Sequence, residues 1–169
     1  MKLIILASTL FFFSATNAQI LDSTKYYVTE AVINDEDYSD CYLDNGQYLT
    51  FYQNEDGETC LLNSTRKMDE FSCGRISGLK SEEIEEDESY GELITFRWYY
   101  HNSYDQDSGY ALVSLKRLYR ENGTQFSIKI ITQKLHIIMF SGFTNEKLVN
   151  YEPKENSVIN TGYLITKKL

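Results

Sequence analysis

One proline, two histidines and three cysteines are all that 169 residues contain of these types, and each shortage excludes something. With Pro153 alone, almost every backbone N–H remains free to enter a sheet ladder. Two histidines, His101 and His136, are too few for a zinc site built mainly from imidazole. There is no His-Glu-x-x-His, no Gly-x-Ser-x-Gly, no phosphate-binding loop and no Cys-x-x-Cys pair, so no motif calls for a cofactor. Three cysteines allow at most one internal disulfide. Long apolar runs are also scarce. Leu3 to Phe13 is the one candidate, and it falls short of the roughly 20 residues that a membrane helix needs.

That run has a different use. Lys2 precedes it, and Thr16-Asn17-Ala18 closes it with a small residue suited to signal peptidase. This is the three-part pattern of a secretory signal. Residues 1–18 are expected to be cleaved after Ala18, leaving a secreted or periplasmic chain of 151 residues from Gln19 to Leu169, the size of a single domain. Without Lys2, 15 basic residues stand against 25 acidic ones, a net charge of −10. Such a chain repels phosphate backbones and anionic membrane surfaces, which excludes nucleic acid as a natural partner and leaves a small molecule or a protein.

What the chain has in quantity is tyrosine and phenylalanine, 14 and 9 residues. Together with Asn-Gly and Asp-Gly pairs they favour strands joined by hairpins. Strands are expected over 25–33, 39–43, 47–53, 59–63 and 70–74, with turns at Asp44-Asn45-Gly46-Gln47 and Glu55-Asp56-Gly57-Glu58. Residues 81–89, nearly all acidic, read as a solvated loop or one helical turn. Ile94, Phe96, Trp98 and Tyr100 then alternate along a strand, as do Val113, Leu115 and Tyr119 along the next. A two-residue tip at Asn122-Gly123 would set Tyr119 opposite Phe126, Arg117 opposite Ile128 and Lys116 opposite Lys129, sorting the pair into an apolar and a wet face. Residues 135–140 are apolar on both faces, the pattern of a doubly covered strand, with His136 facing Ile131. A last strand is expected at 163–167. Nine or ten strands without a convincing amphipathic helix predict an all-β fold. The first choice is an antiparallel meander closing into a lipocalin-like barrel, and the second is a two-sheet sandwich.

Candidate functional residues follow from the faces. Arg117 shares the apolar face with Leu115 and Tyr119, and a cation there must pair, snorkel or line a cavity. The functional reading is a ligand pocket walled by Phe96, Trp98 and Tyr119, with Arg117 meeting an anionic group. The bland reading is an ion pair or a wet strand end. The loop from His101 to Gly109 offers the alternative of a hydrolase or metal-dependent enzyme, with Asp105 and Asp107 as weak metal ligands. The calcium-loop pattern there is incomplete, since Ser108 and Lys116 stand where acids are wanted. A purely structural or interaction protein of the cell envelope is the third reading. Cys60 and Cys73 are symmetric about Arg66-Lys67, so a hairpin there would make them the disulfide candidate, against the alternative of three unpaired thiols.

Phe96-x-Trp98, Asn102-Ser103-Tyr104-Asp105, Gly109 and the hairpin through Tyr119 and Phe126 resemble a loose group of small exported proteins of Bacteroidota. The resemblance covers residues 96–143. It implies a Gram-negative host and an extracytoplasmic location, and it carries over no catalytic or binding residue. The expectation overall is a non-catalytic binding domain.

Overall fold

A computed structural model describes residues 24–144 apart from 68, 87, 88 and 122. The signal segment expected at 1–18 and the strand expected at 163–167 both lie outside the described residues. Among the described residues nine strands and one helix follow one another: β1 (Lys25–Ile33), β2 (Glu36–Asp37), α1 (Ser39–Asn45), β3 (Tyr48–Gln53), β4 (Thr59–Ser64), β5 (Phe71–Glu86), β6 (Ser89–Asn102), β7 (Ser108–Arg120), β8 (Gly123–Thr132) and β9 (Ile137–Thr144). From β3 onward each strand pairs antiparallel with the next, β1 pairs with β3, and β1 also pairs with β9. The result is a closed eight-stranded up-and-down barrel with β2 as an extra edge strand. Closure removes the sheet edges that an open meander would expose.

The alternation read from the sequence fills the interior. Phe96, Phe51, Tyr26 and Phe126 form a chain of edge-to-face ring contacts with centroids 5.7, 5.9 and 5.2 Å apart. Ile94, Leu115, Ile128 and Leu61 pack among them, all essentially buried. Aromatic pairs of this geometry contribute about 0.5–1.5 kcal/mol each beyond their buried area.

Five local expectations are corrected. Residues 39–43 are not a strand but most of α1. Gly46, with φ 62°, ends that helix in the left-handed conformation, its N–H reaching the Leu43 carbonyl while the Gln47 N–H reaches that of Tyr42. Asn-Gly thus serves as a helix C-terminus rather than a hairpin tip, since both uses need positive φ at glycine. Residues 81–86 are not a loop but the end of β5, laddered against β6 from Ser81↔Ile94 to Glu86↔Ser89. The Glu83↔Glu92 opposition in that ladder has Arg117 directly across from Glu92 on the third strand. The β7–β8 register runs through Arg117↔Phe126, Leu115↔Ile128 and Lys116↔Ser127, two residues from the expected one. A shift of two keeps every side chain on its expected face. In β9, Ile137 and not His136 faces Ile131. The outward Ile137, Met139 and Phe143 are exposed rather than covered.

The hairpin between β4 and β5 forms, in a register that pairs Leu62 with Cys73 and Cys60 with Arg75. Cys60 and Cys73 are therefore diagonal rather than opposite, and all three cysteines are free thiols. Cys60 lies directly across from Tyr52. Burial, reinforced by the two neighbouring thiols, pushes the Tyr52 hydroxyl up to about 12.

Candidate functional site

The meander places four connections at one end of the barrel: α1, the β4–β5 turn, the β6–β7 loop and the β8–β9 loop. They ring a cavity of about 430 Å³. An eight-stranded barrel is just wide enough to hold side chains or one small ligand, and this volume falls in the ordinary range for small-molecule sites. The other end is filled by the aromatic chain and closed by charge.

Trp98 stands on the cavity wall. It follows Phe96 on β6 and is followed by Tyr100 and Asn102, the same inward alternation continued toward the rim. Trp98 is only 4% exposed, and its indole N–H has no hydrogen-bond partner among the described residues. A buried donor left unsatisfied costs roughly 1–3 kcal/mol, so the site favours an occupant that brings an acceptor. Tyr100 packs beside the indole at 5.5 Å between ring centroids. Tyr42, the one α1 side chain packed against the core, meets Phe140 at 5.1 Å.

Four amide residues, Asn45, Gln47, Asn63 and Asn102, line the same space. Gln47 donates from Nε2 to Asn63 Oδ1, and Asn102 Oδ1 accepts the Ser72 hydroxyl at 2.7 Å. The rim is knit by further bonds. Asn102 N–H reaches the Asp107 carbonyl at 2.9 Å, and Arg66 N–H reaches the Asn45 carbonyl at 3.2 Å, tying the β4–β5 turn to α1. Lys134 Nζ donates to Asp107 Oδ2 at 2.7 Å across the rim. Glu70 and Asp105 also line the opening.

The Lys134 hydrogen bond holds the Asp107 carboxyl below its ordinary value, and the same bond raises Lys134. A depressed carboxylate stabilises the fold above its unfolded pKa, about 3.9, and the contribution is lost as pH falls through the folded value. A raised lysine contributes below its unfolded pKa, about 10.4, and that is lost as pH rises through the folded value. The contact therefore persists from mildly acid to alkaline conditions. Lys134→Met is expected to return Asp107 toward the ordinary carboxylate range in a carboxyl NMR titration. An unmoved Asp107 titration would show that the two groups do not meet in solution.

Of the four residues expected to wall a pocket, Trp98 alone lines the mouth cavity. Phe96 is packed against Phe51 below it. Arg117 faces inward as expected but lies at the closed end, 5% exposed, with its guanidinium 3.2 Å from the Glu92 carboxylate. Tyr119 donates its hydroxyl to the same carboxylate at 2.5 Å and stacks on Tyr90. Arg117 is thus a base plug and not a ligand anchor at the mouth.

The enzyme alternative is dispersed differently. His101 is exposed, with Nδ1 2.8 Å from the Ser108 hydroxyl, and is not part of the cavity lining. Asp105 Oδ1 accepts the Asp107 N–H at 2.9 Å. Among the described residues no group of three or more His, Cys, Asp or Glu side chains is placed to hold a metal ion. The sequence reading missed α1 with Tyr42, and it missed Gln47, Asn63 and Asn102. Two of these were within reach: Asn102 extends the Phe96, Trp98, Tyr100 alternation, and Asn63 follows the inward Leu61 by two.

Compared with known protein families, characterised proteins and solved structures, the chain matches none.

Proposed function

We propose that this chain is a secreted, non-catalytic barrel that holds a small ligand in its mouth cavity. The observation that carries the reading is Trp98: a buried indole N–H without a partner among the described residues, on the wall of a cavity of about 430 Å³. Around it lie rings for contact area and amides for orientation, the mixture that small-molecule sites use. His101, the histidine on which the enzyme alternative rests, stands outside the cavity lining. The apolar run 3–13 and the small residue Ala18 support export, with Gln19 as the first residue of the mature chain. The resemblance to exported proteins of Bacteroidota points to the periplasm or beyond.

Trp98 is the chain's single tryptophan, so its emission reports the cavity alone. Screening a library of small organic molecules against residues 19–169 is expected to yield compounds that both raise the melting temperature and alter that emission. A ligand at a hundred times its Kd adds about 2.7 kcal/mol to stability. Ile138→Trp, which fills the mouth, should abolish the thermal effect while leaving the far-ultraviolet circular dichroism unchanged. A library without hits, or hits indifferent to the filled mouth, would overturn the reading.

A further inference from the structure

The mouth carries more chemistry than its volume. Three carboxylates, Glu70, Asp105 and Asp107, line it together with one lysine, Lys134, and one histidine, His136. Lys134 is engaged by Asp107 at 2.7 Å. Among the described residues no hydrogen bond or ion pair engages the Glu70 carboxylate, and Asp105 takes only a backbone N–H. The rim therefore holds surplus negative charge in a protein that is itself strongly acidic. Such an opening repels anions and concentrates cations, and the low-polarity wall behind it focuses the field. The field extends inward: after desolvation, the Asp107 and Asp105 charges are what raise the Tyr100 hydroxyl. Below the rim, Tyr42, Tyr100, Trp98 and Phe140 present aromatic surface, which attracts a cation as well as apolar bulk. At the wall the Trp98 N–H needs an acceptor.

Resting on the cavity reading above, we infer that the ligand is a small organic cation of defined layout: an ammonium group that stays at the carboxylate rim, a flat or compact apolar body among the rings, and an oxygen acceptor at the buried end for the Trp98 N–H. The two demands come from separate features, and an anionic group is repelled by the carboxylates of the rim. Arg117, the one buried cation among the described residues, lies at the closed end.

Four probes of nearly one shape separate these demands. Tyramine has the ammonium and a terminal hydroxyl. Phenethylamine lacks the hydroxyl, tyrosol lacks the charge, and para-hydroxyphenylacetate reverses it. Isothermal calorimetry of each against residues 19–169 is expected to rank tyramine first. Tyrosol should bind about three- to tenfold more weakly and the acetate more weakly still, with the gap closing in high salt. Glu70→Gln with Asp105→Asn should bring tyramine to the level of tyrosol. Phenethylamine should also lose about three- to tenfold, the worth of one hydrogen bond. In Trp98→Phe, which keeps a ring and removes the donor, tyramine and phenethylamine should bind alike. An acetate equal to or stronger than the amine would overturn the cation assignment while leaving the cavity reading intact. Equal loss of both amines in Trp98→Phe would overturn the acceptor assignment. Absence of binding by all four probes overturns this inference. It extends to the cavity reading only if the wider library also fails against the open mouth.

Discussion

Replacing Arg117 with methionine is expected to destabilise the barrel by about 3–5 kcal/mol, the usual cost of leaving one partner of a buried ion pair uncompensated. The arrangement makes the loss asymmetric. Arg117 stands across the ladder from Glu92, and Glu83 stands across from Glu92 on the other side. Removing the guanidinium leaves two carboxylates in register without the cation between strands. Removing Glu92 instead, as Glu92→Gln, leaves Arg117 with its cation–π contact to Tyr119 at 5.7 Å and with Glu83 on the same face. Glu92→Gln should therefore cost less than Arg117→Met, and Arg117→Met/Glu92→Leu should recover much of the loss, because a well-packed apolar pair replaces a buried ion pair at little cost. Urea denaturation of the three variants measures this. A loss in Arg117→Met alone, with Glu92→Gln costing nothing and no recovery in the double, would show that Arg117 acts by packing alone. A domain of this size has about 5–15 kcal/mol in total, so Arg117→Met is best measured with Glu92→Gln alongside, which should remain folded.

A second large effect is expected at the seam that closes the barrel. Gly142 on β9 pairs with Val28 on β1, next to a bulge between Val28 and Glu30. A Cβ on Gly142 would sit 2.0 Å from the Tyr27 carbonyl oxygen and 3.1 Å from the Phe126 ring. Real Cβ atoms do not approach backbone so closely, and the oxygen belongs to a laddered strand that cannot step aside without breaking its pairing. Gly142→Ala is expected to cost about 3 kcal/mol or more, beyond the usual range for an added methyl in a packed site. Its signature is local. Hydrogen exchange should quicken first in β1 and β9, while the β6–β7 and β7–β8 ladders keep their protection. Uniform loss of protection across all strands would mean that the seam has no weakness of its own.

The barrel was legible because its cause is local. Inward residues alternate along β6 and β7, and no helix pattern competes. The inward face of Arg117 followed from the same alternation, and a register error of two residues could not disturb it. What failed had non-local causes. Asn45-Gly46 suits a hairpin tip or a helix end equally, and the choice falls to helix because Tyr42 finds Phe140, nearly a hundred residues on, to pack against. Residues 81–86 look like a loop because Glu83 opposite Glu92 is tolerable only with Arg117 on the next strand. Lys116, which the expected register set against Lys129, instead meets Glu86 at 2.9 Å from that same acidic stretch. The mouth cavity was the least legible of all. Gln47, Asn63 and Asn102 come from three separate strands or strand ends, and the register of the β3–β4, β4–β5 and β5–β6 ladders, with Asn63 and Asn102 both opposite Ser72, brings them to one rim.

The two ends of the barrel are built from different materials, and heat should find the difference. The base is aromatic and ionic, with its groups buried and mutually bound. The mouth rests on short loops and on surface contacts such as Lys134–Asp107, whose partners are an exposed lysine and a half-buried aspartate. Contacts of that kind open at low free energy, well before the global transition. On warming, the barrel is expected to loosen at its lip while its floor holds, so the proposed ligand site is lost below the temperature at which the strands part.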